Sequence, residues 1–525
     1  MDSFNARCSP PWSDRELAHK LDDARDKVQS AGEVGAMLRE DRSARQAAAR
    51  VRGGDEQGGS EQAGDEQGGS STDLILDPTD PLPTAREFVA RLHSATDGTP
   101  TLHSFNGDVY AWTGASYAAI PEDAVRAQLY KFLEPALRLE VRGDDQQLVS
   151  FKPTKGKLDN AVDALRGVSH LAAAAVPAWI GASGPDPIEC IPVRNGILHE
   201  PTRRLLSPSP RFFNLNATDF DYNPDAPTPA NWQRFLLSLW EADEQARNTL
   251  QEIFGLLLTL DTRHEKIFLI VGPKRSGKGT IARVLRALLG AANVCGPTLS
   301  GLSNHFGLES LIGKQLAIIS DARLSGKADQ SIIAERLLSV SGEDAIGVPR
   351  KHRPNWEGKL PTRFVVMTNE LPRLSDASGA LSSRFVVLTM SRSFYGQEDH
   401  GLTDRLLAEL PGIFKWALEG LRRLRERGRF IQPDSSAGAI AELEALGSPV
   451  SAFVSERCVV APGRSIQTTR LYELWRGWCE DEGREHPGTQ ATFGRDLLAA
   501  VPGIAKTRPR IGELRIQFYE GIDTQ

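Results

Sequence analysis

The chain has 525 residues, 62 Lys and Arg against 68 Asp and Glu, and a formal net charge of −6, with 40% hydrophobic and 25% charged residues. This is the make-up of a globular protein long enough for about three domains. It excludes one that coats nucleic acid through bulk positive charge, so DNA contact must come from local patches. No apolar run approaches the roughly 20 residues of a membrane span, and the start Met1-Asp-Ser-Phe-Asn lacks a basic segment followed by an apolar one. A cytoplasmic location is expected. Cys8, Cys190, Cys295, Cys458 and Cys479 stand far apart with no CxxC spacing, which offers neither a zinc ribbon nor a disulfide framework.

Residues 1–72 read as a tail. A charged stretch is followed by Gly54-Asp-Glu-Gln-Gly-Gly-Ser60, repeated as Gly64-Asp-Glu-Gln-Gly-Gly-Ser70. Gly, Ser and acids without aromatics bury too little to offset the entropy of ordering, so a disordered linker is expected. From Asp73 the composition turns globular. Val109-Tyr-Ala-Trp112 lies between the turn signals Asn106-Gly107 and Thr113-Gly114, a hairpin pattern. Helical periodicity covers 121–139 and 158–174. A second hairpin-like unit is Ile191-Pro-Val-Arg-Asn-Gly-Ile-Leu198, and Trp232, Phe235, Leu236, Leu239 and Trp240 repeat at helical spacing, which marks them as core.

Lys266-Ile-Phe-Leu-Ile-Val271 predicts a buried strand, and it runs directly into Gly272-Pro273-Lys274-Arg275-Ser276-Gly277-Lys278-Gly279-Thr280. Ile281, Val284, Leu285, Leu288 and Leu289 then give the apolar face of a helix ended by Gly290. Strand, glycine-rich loop, helix is the setting a phosphate-binding loop requires. Glycines let backbone N–H groups converge on phosphate oxygens, the helix N-terminus adds partial positive charge, and Lys278 reaches the β- and γ-phosphates. The expected ligands are therefore ATP and Mg²⁺. Gly279 stands where a hydroxyl residue usually follows the lysine, so the metal-side contact is expected either from the Thr280 hydroxyl or through a water.

Further along, Gln315-Leu-Ala-Ile-Ile-Ser320 reads as a neighbouring strand that delivers Asp321, either metal ligand or water-polarising base. Glu335 and Asp344 are reserve carboxylates, more simply read as ion-pair partners. Phe364-Val-Val-Met-Thr368 leads to Asn369, which either holds the attacking water or is an ordinary turn residue. Arg384 precedes a fourth apolar strand, Phe385-Val-Val-Leu388, where it can reach across a subunit boundary to developing phosphate charge.

In this order the pieces resemble the superfamily-three helicases of viruses and plasmids, closest to the phage/plasmid primase-helicase family that includes the poxvirus replication helicase. The likeness runs from about Phe105 to Gly521. It rests on Asp221-Tyr-Asn-Pro-Asp-Ala, Glu252-Ile-Phe-Gly-Leu, Ser339-Val-Ser-Gly-Glu-Asp-Ala-Ile346, Phe364-Val-Val-Met-Thr-Asn-Glu-Leu-Pro372 and Leu410-Pro-Gly-Ile-Phe-Lys-Trp-Ala-Leu418 besides the loop. The resemblance implies an AAA+/RecA-like P-loop core with an α+β pre-ATPase domain and a C-terminal winged helix. It also implies a homo-hexameric motor on DNA, at work in a bacterial host's cytoplasm with a separate primase or polymerase. Lys278, Asp321, Asn369 and Arg384 take the catalytic roles. With only the tail 1–72 ahead of the recognisable region, the resemblance is to the helicase half alone, and priming is expected from another polypeptide.

For DNA, Gly347-Val-Pro-Arg350-Lys351-His352-Arg353 lies between the second and third ATPase strands. Arg350, Lys351, His352 and Arg353 suit phosphate contact on a loop, although a solvated basic loop is the plainer reading. The resemblance implies a pore hairpin here with Lys351 and His352 at its tip. Residues 471–478 and 490–498 read as helices, and 506–518 as a hairpin turning at Gly512. Lys506, Arg508 and Arg510 are its phosphate candidates, with a protein-docking wing as the alternative. The expected organisation is tail 1–72, pre-ATPase domain 73–230, ATPase domain 231–432, linker 433–449 and winged helix 450–525. The expected function is an ATP-dependent, ring-forming DNA helicase of a phage, prophage or plasmid. An ATP-switched origin-binding or loading protein, or a nucleotide kinase, are the alternatives.

Overall fold

The computed structural model describes residues 74–172, 176–320, 322, 329–374, 376, 379–483, 487–511 and 514–525. The tail 1–72 and Gly512 lie outside the described residues, as does Asp321. Around the glycine-rich loop the chain builds a five-stranded, all-parallel sheet in the order Val294–Cys295, Leu316–Ile319, Arg363–Thr368, Ile267–Val271, Phe385–Thr389. Along each longer strand the side chains alternate between two cores. Phe268, Ile270, Val365, Met367, Val386 and Leu388 face one. Ile267, Leu269, Phe364, Val366, Phe385 and Val387 face the other. Both faces being covered explains why these strands read as unbroken apolar runs rather than as alternating ones.

The first face is covered by the helices Ala230–Leu239, Glu244–Leu257, Lys278–Leu289 and Leu410–Arg427. Full burial of each leucine or phenylalanine there is worth about 1.5–3 kcal/mol. Two of these helices touch backbone to backbone. A Cβ on Gly255 would stand 2.3 Å from the Ala417 carbonyl oxygen, and one on Gly420 would stand 2.2 Å from that of Gln251. Between them Glu252, 2% exposed, receives Arg423 at 2.8 Å and Arg427. The second face carries the helices Gln330–Ser341, Ala380–Arg384 and Ala437–Gly447. The last of these falls in the expected linker 433–449. It is a helix instead, because Ala439, Ile440 and Leu443 supply enough apolar surface to lie against the sheet.

Ahead of the core, the helices Pro81–Leu92, Glu122–Leu133 and Lys155–Val168 enclose a small separate cluster. The expected helix over 121–139 stops at Leu133, and Leu137–Arg142 pairs with Asp145–Ser150 as a hairpin. The strands Leu102–Phe105, Asp108–Trp112 and Tyr117–Ile120 form an antiparallel meander. Its first turn is Asn106-Gly107, at φ 48° and 82°, the left-handed pair that a two-residue hairpin loop demands. The sheet of Cys190–Val193, Gly196–His199 and Arg204–Leu206 contributes Ile191, Val193 and Leu198 to the core on the first face of the parallel sheet. The expected border at 230 therefore does not mark a break in packing. At the C-terminus the helices Pro449–Arg457, Thr468–Asp481 and Gln490–Ala500 surround a cluster with Phe453, Trp475, Phe493 and Tyr519. A three-stranded antiparallel sheet of Cys458–Gln467, Phe518–Thr524 and Ala505–Thr507 closes it. No described helix is long and apolar enough to cross a membrane.

Candidate functional site

The glycine-rich loop leaves the strand Ile267–Val271 at its carboxyl end and enters the helix Lys278–Leu289 with Gly277 at the N-cap, φ 98°. That conformation suits glycine, and a Cβ there would also press on Phe235 and Leu239. Gly272 is needed for a different reason: a Cβ would stand 2.6 Å from that of Met390. Gly279 faces nothing closer than the Arg283 guanidinium at 3.5 Å, so its lack of a side chain answers no steric demand. The usual hydroxyl is absent there without being excluded.

Lys278 Nζ donates to the Gly272 carbonyl at 2.6 Å, to that of Pro273 at 2.8 Å, to Ser276 Oγ at 3.2 Å and to Asn369 Oδ1 at 3.1 Å. The first two are loop carbonyls, so the ammonium rests folded back on its own loop, and burial lowers its pKa below a lysine's ordinary value. Asn369 follows the strand Arg363–Thr368, which pairs directly with the loop's strand. This strand lies between the loop and Leu316–Ile319. The strand preceding Asp321 is thus one place removed rather than adjacent. Sequence runs cannot reveal that insertion, because strand order is a property of the sheet.

Above Lys278 opens a cleft of about 1010 Å³, into which Lys274, Arg275, Ser276, Gly277, Gly279, Thr280 and Asn369 also project. Several of its walls carry no motif. Asn231, Arg234 and Phe235 come from the helix Ala230–Leu239, Arg283 stands one turn beyond Thr280, and Phe394, Asp399 and Arg405 close the far side. Arg283 was findable by helical spacing, since its guanidinium donates to Thr280 Oγ1 at 3.1 Å. The segment around 394–405 had no signal, being a charged loop like many others. It grips the glycine-rich loop through Ser393 Oγ to the Lys274 carbonyl at 2.8 Å and Phe394 N–H to the Arg275 carbonyl at 2.9 Å. Arg405 pairs with Asp399, and Arg275 approaches Glu398 at 3.5 Å. Glu335 and Asp344 are exposed and stand outside the cleft lining.

Arg384 is not in this cleft. Its strand runs parallel to the loop's strand with Phe385 opposite Ile267, so it stands at the amino end of the sheet. A five-residue strand of about 3.3 Å per residue separates it from the loop. It donates to the Leu338 carbonyl at 3.1 Å and Ser341 Oγ at 2.9 Å and pairs with Glu265 at 3.3 Å.

The basic segment 350–353 is a hairpin neck and turn. Ile346–Arg350 pairs with Arg353–Gly358, and Lys351-His352 makes the turn with His352 at φ 60°. Lys351 and His352 are exposed. Arg350 is not available to DNA as expected: its side chain is 5% exposed and paired with Asp108 at 2.7 Å. Arg353 reaches the same carboxylate at 3.1 Å while its own side chain stays 56% exposed. In the C-terminal module Lys506, Arg508 and Arg510 are all exposed. Arg510 sits opposite Arg515 on a short outer hairpin beyond the Ala505–Thr507 strand. Among the described residues no group of three His, Cys, Asp or Glu side chains could hold a metal ion.

This is a mixed α/β protein with a parallel sheet whose glycine-rich loop opens into a cation-lined cleft. Over 183–241 it matches the model of a family described as D5 N terminal like, and over 270–384 that of a family of unknown function (DUF5906). The first match relates the chain to the primase-helicase proteins of phages and plasmids. Among solved structures it is similar to the apo structure of the NrS-1 C terminal region (305-718), at 13% identity, with 85% of this chain and 99% of that one covered and a TM-score of 0.47. An A form of that region gives 14%, 84%, 100% and 0.45.

Proposed function

We propose that this chain is an ATP-dependent DNA helicase of a phage or plasmid replication system, working as a ring of identical subunits. The observation that carries the proposal is the Lys278 ammonium at the floor of the cleft, touched by Asn369 from the neighbouring strand tip. The parallel strand order, with the loop's strand between those of Asn369 and Arg384, supports an AAA+-type P-loop core. When a triphosphate enters, Lys278 exchanges its two loop carbonyls for phosphate oxygens, and the amides that open the helix Lys278–Leu289 face the same charge. Asn369 then has an oxygen free of Lys278 with which to orient a water.

The donor set fits phosphate well, with Lys274, Arg275, Lys278 and Arg283 around the cleft. Magnesium would be held by the phosphates together with the Thr280 hydroxyl, and by Asp321, and would neutralise charge on the transferring group. Arg384 cannot serve its own subunit's nucleotide from the opposite sheet end. Its role is at a neighbour's, and assembly must then break its bonds to Leu338, Ser341 and Glu265. The turn Lys351-His352 and the exposed cations Lys506, Arg508 and Arg510 supply phosphate contacts, the former to the translocated strand.

Strand displacement on a forked duplex, with and without ATP, tests the reading in the full chain and in Lys278→Ala. ATP-dependent displacement lost in the variant is the expected result. ATP turnover without displacement would favour a loading or origin-binding switch, and turnover unaffected by Lys278→Ala would refute the nucleotide site.

A further inference from the structure

Asp108 opens the second strand of the N-terminal meander, directly after the turn Asn106-Gly107. It lies 242 positions from Arg350 and 245 from Arg353, yet each of its oxygens takes one of them. Oδ2 accepts from Arg350 at 2.7 Å and Oδ1 from Arg353 at 3.1 Å. Those two arginines face each other across the hairpin and flank its two-residue turn. One carboxylate therefore spans the neck of the hairpin. Arg350 Nε closes the neck further by donating to the Pro354 carbonyl at 2.9 Å. The approach is close enough that a Cβ on Gly107 would stand 3.6 Å from the Arg350 guanidinium, in ordinary van der Waals contact. With Arg350 buried and Arg353 tied to the same carboxylate, Lys351 and His352 are the exposed turn residues of the hairpin that Asp108 does not hold.

We infer that Asp108 is a positioning residue that fixes the DNA-facing turn Lys351-His352 to the N-terminal meander, so that meander and hairpin move as one body. The inference rests on the DNA role proposed above for that turn. A carboxylate binding both sides of a two-residue turn fixes its direction as well as its place, which a single ion pair on one strand does not. Because Arg350 is desolvated, releasing it from Asp108 leaves a buried cation without a counter-charge, with only the Pro354 carbonyl beside it.

The test uses the full chain, comparing wild type with Asp108→Asn and Asp108→Glu by hydrogen exchange and by DNA-stimulated ATP turnover. In Asp108→Asn, amide exchange across 346–358 should quicken at least tenfold while the amides of the strand 267–271 keep their rates. The DNA concentration giving half-maximal stimulation should rise at least tenfold, with maximal turnover at saturating DNA within twofold of wild type. Asp108→Glu, which keeps two acceptor oxygens, should recover most of both. Unchanged exchange in 346–358, or exchange quickened equally throughout the chain, overturns the clamp. A Lys351→Ala/His352→Ala double variant with wild-type DNA stimulation would instead overturn the DNA reading of the turn, leaving the exchange result to judge the clamp by itself.

Discussion

The glycine-rich loop and the 346–358 hairpin are both short, cation-bearing turns, and they spend their charges in opposite ways. At the loop the key cation bonds within six residues of itself except for Asn369, to two carbonyls and the Ser276 hydroxyl, which a ligand can replace. At the hairpin two of four basic residues are claimed by an aspartate some 240 positions earlier. Local chemistry is written in consecutive residues and survives translation into structure. The availability of a charge depends on who else is present, and no window of sequence contains that.

Four substitutions would break or sharpen the contrast. Lys278→Ala should lower ATP turnover by at least about a hundredfold, the scale for losing a preorganised charge at a reacting group. Its melting temperature should hold, because the lysine's partners are polar groups at the edge of a cleft that water can reach in its place. If turnover and melting fall together, the loop's cation is structural after all. Arg350→Ala comes next. It removes one partner of a buried pair, so chemical denaturation should show a loss of about 3 kcal/mol. A cost near zero would mean that Asp108 holds the neck without it. Lys351→Ala should leave stability within about 0.5 kcal/mol but reduce the salt dependence of DNA binding by about one phosphate contact. An unchanged salt slope would remove Lys351 from the interface. Smallest of all is Gly279→Ser. The added Cβ meets only the tip of Arg283, and stability should move by no more than about 0.5 kcal/mol while turnover persists. A marked loss there would show that this glycine serves the reaction in a way the packing does not reveal.

What could be read in the chain beforehand follows the same division. The strand Ile267–Val271, the loop and its helix were legible because periodicity and the glycines lie within some twenty consecutive residues. The Asn106-Gly107 turn was legible for the same reason. The hairpin turn at Lys351-His352 was implied by resemblance, whereas the pairing of its neck was not. The helix Ala437–Gly447 was hidden by the small side chains that made it look like a linker. The cleft wall from Phe394 to Arg405 left no trace, since its residues matter only through their place opposite Lys278. The strand inserted between the loop and Asp321's strand belongs to the same class: hydrogen bonding across a sheet obeys no sequence spacing.

The pairing of Glu252 with Arg423 and Arg427 carries a mechanical corollary. The two helices it joins meet through Gly255 and Gly420, too near to slide without collision, and any shear would also strand a carboxylate in hydrocarbon. The lip of the cleft is rooted in the core those helices share through Leu402 and Leu406, but its rim carries exposed pairs such as Asp399 with Arg405, each contributing at most about 1 kcal/mol. The rim pairs can therefore exchange partners with water or an entering ligand at little cost, while a change at Glu252 disturbs the packing beneath the lysine.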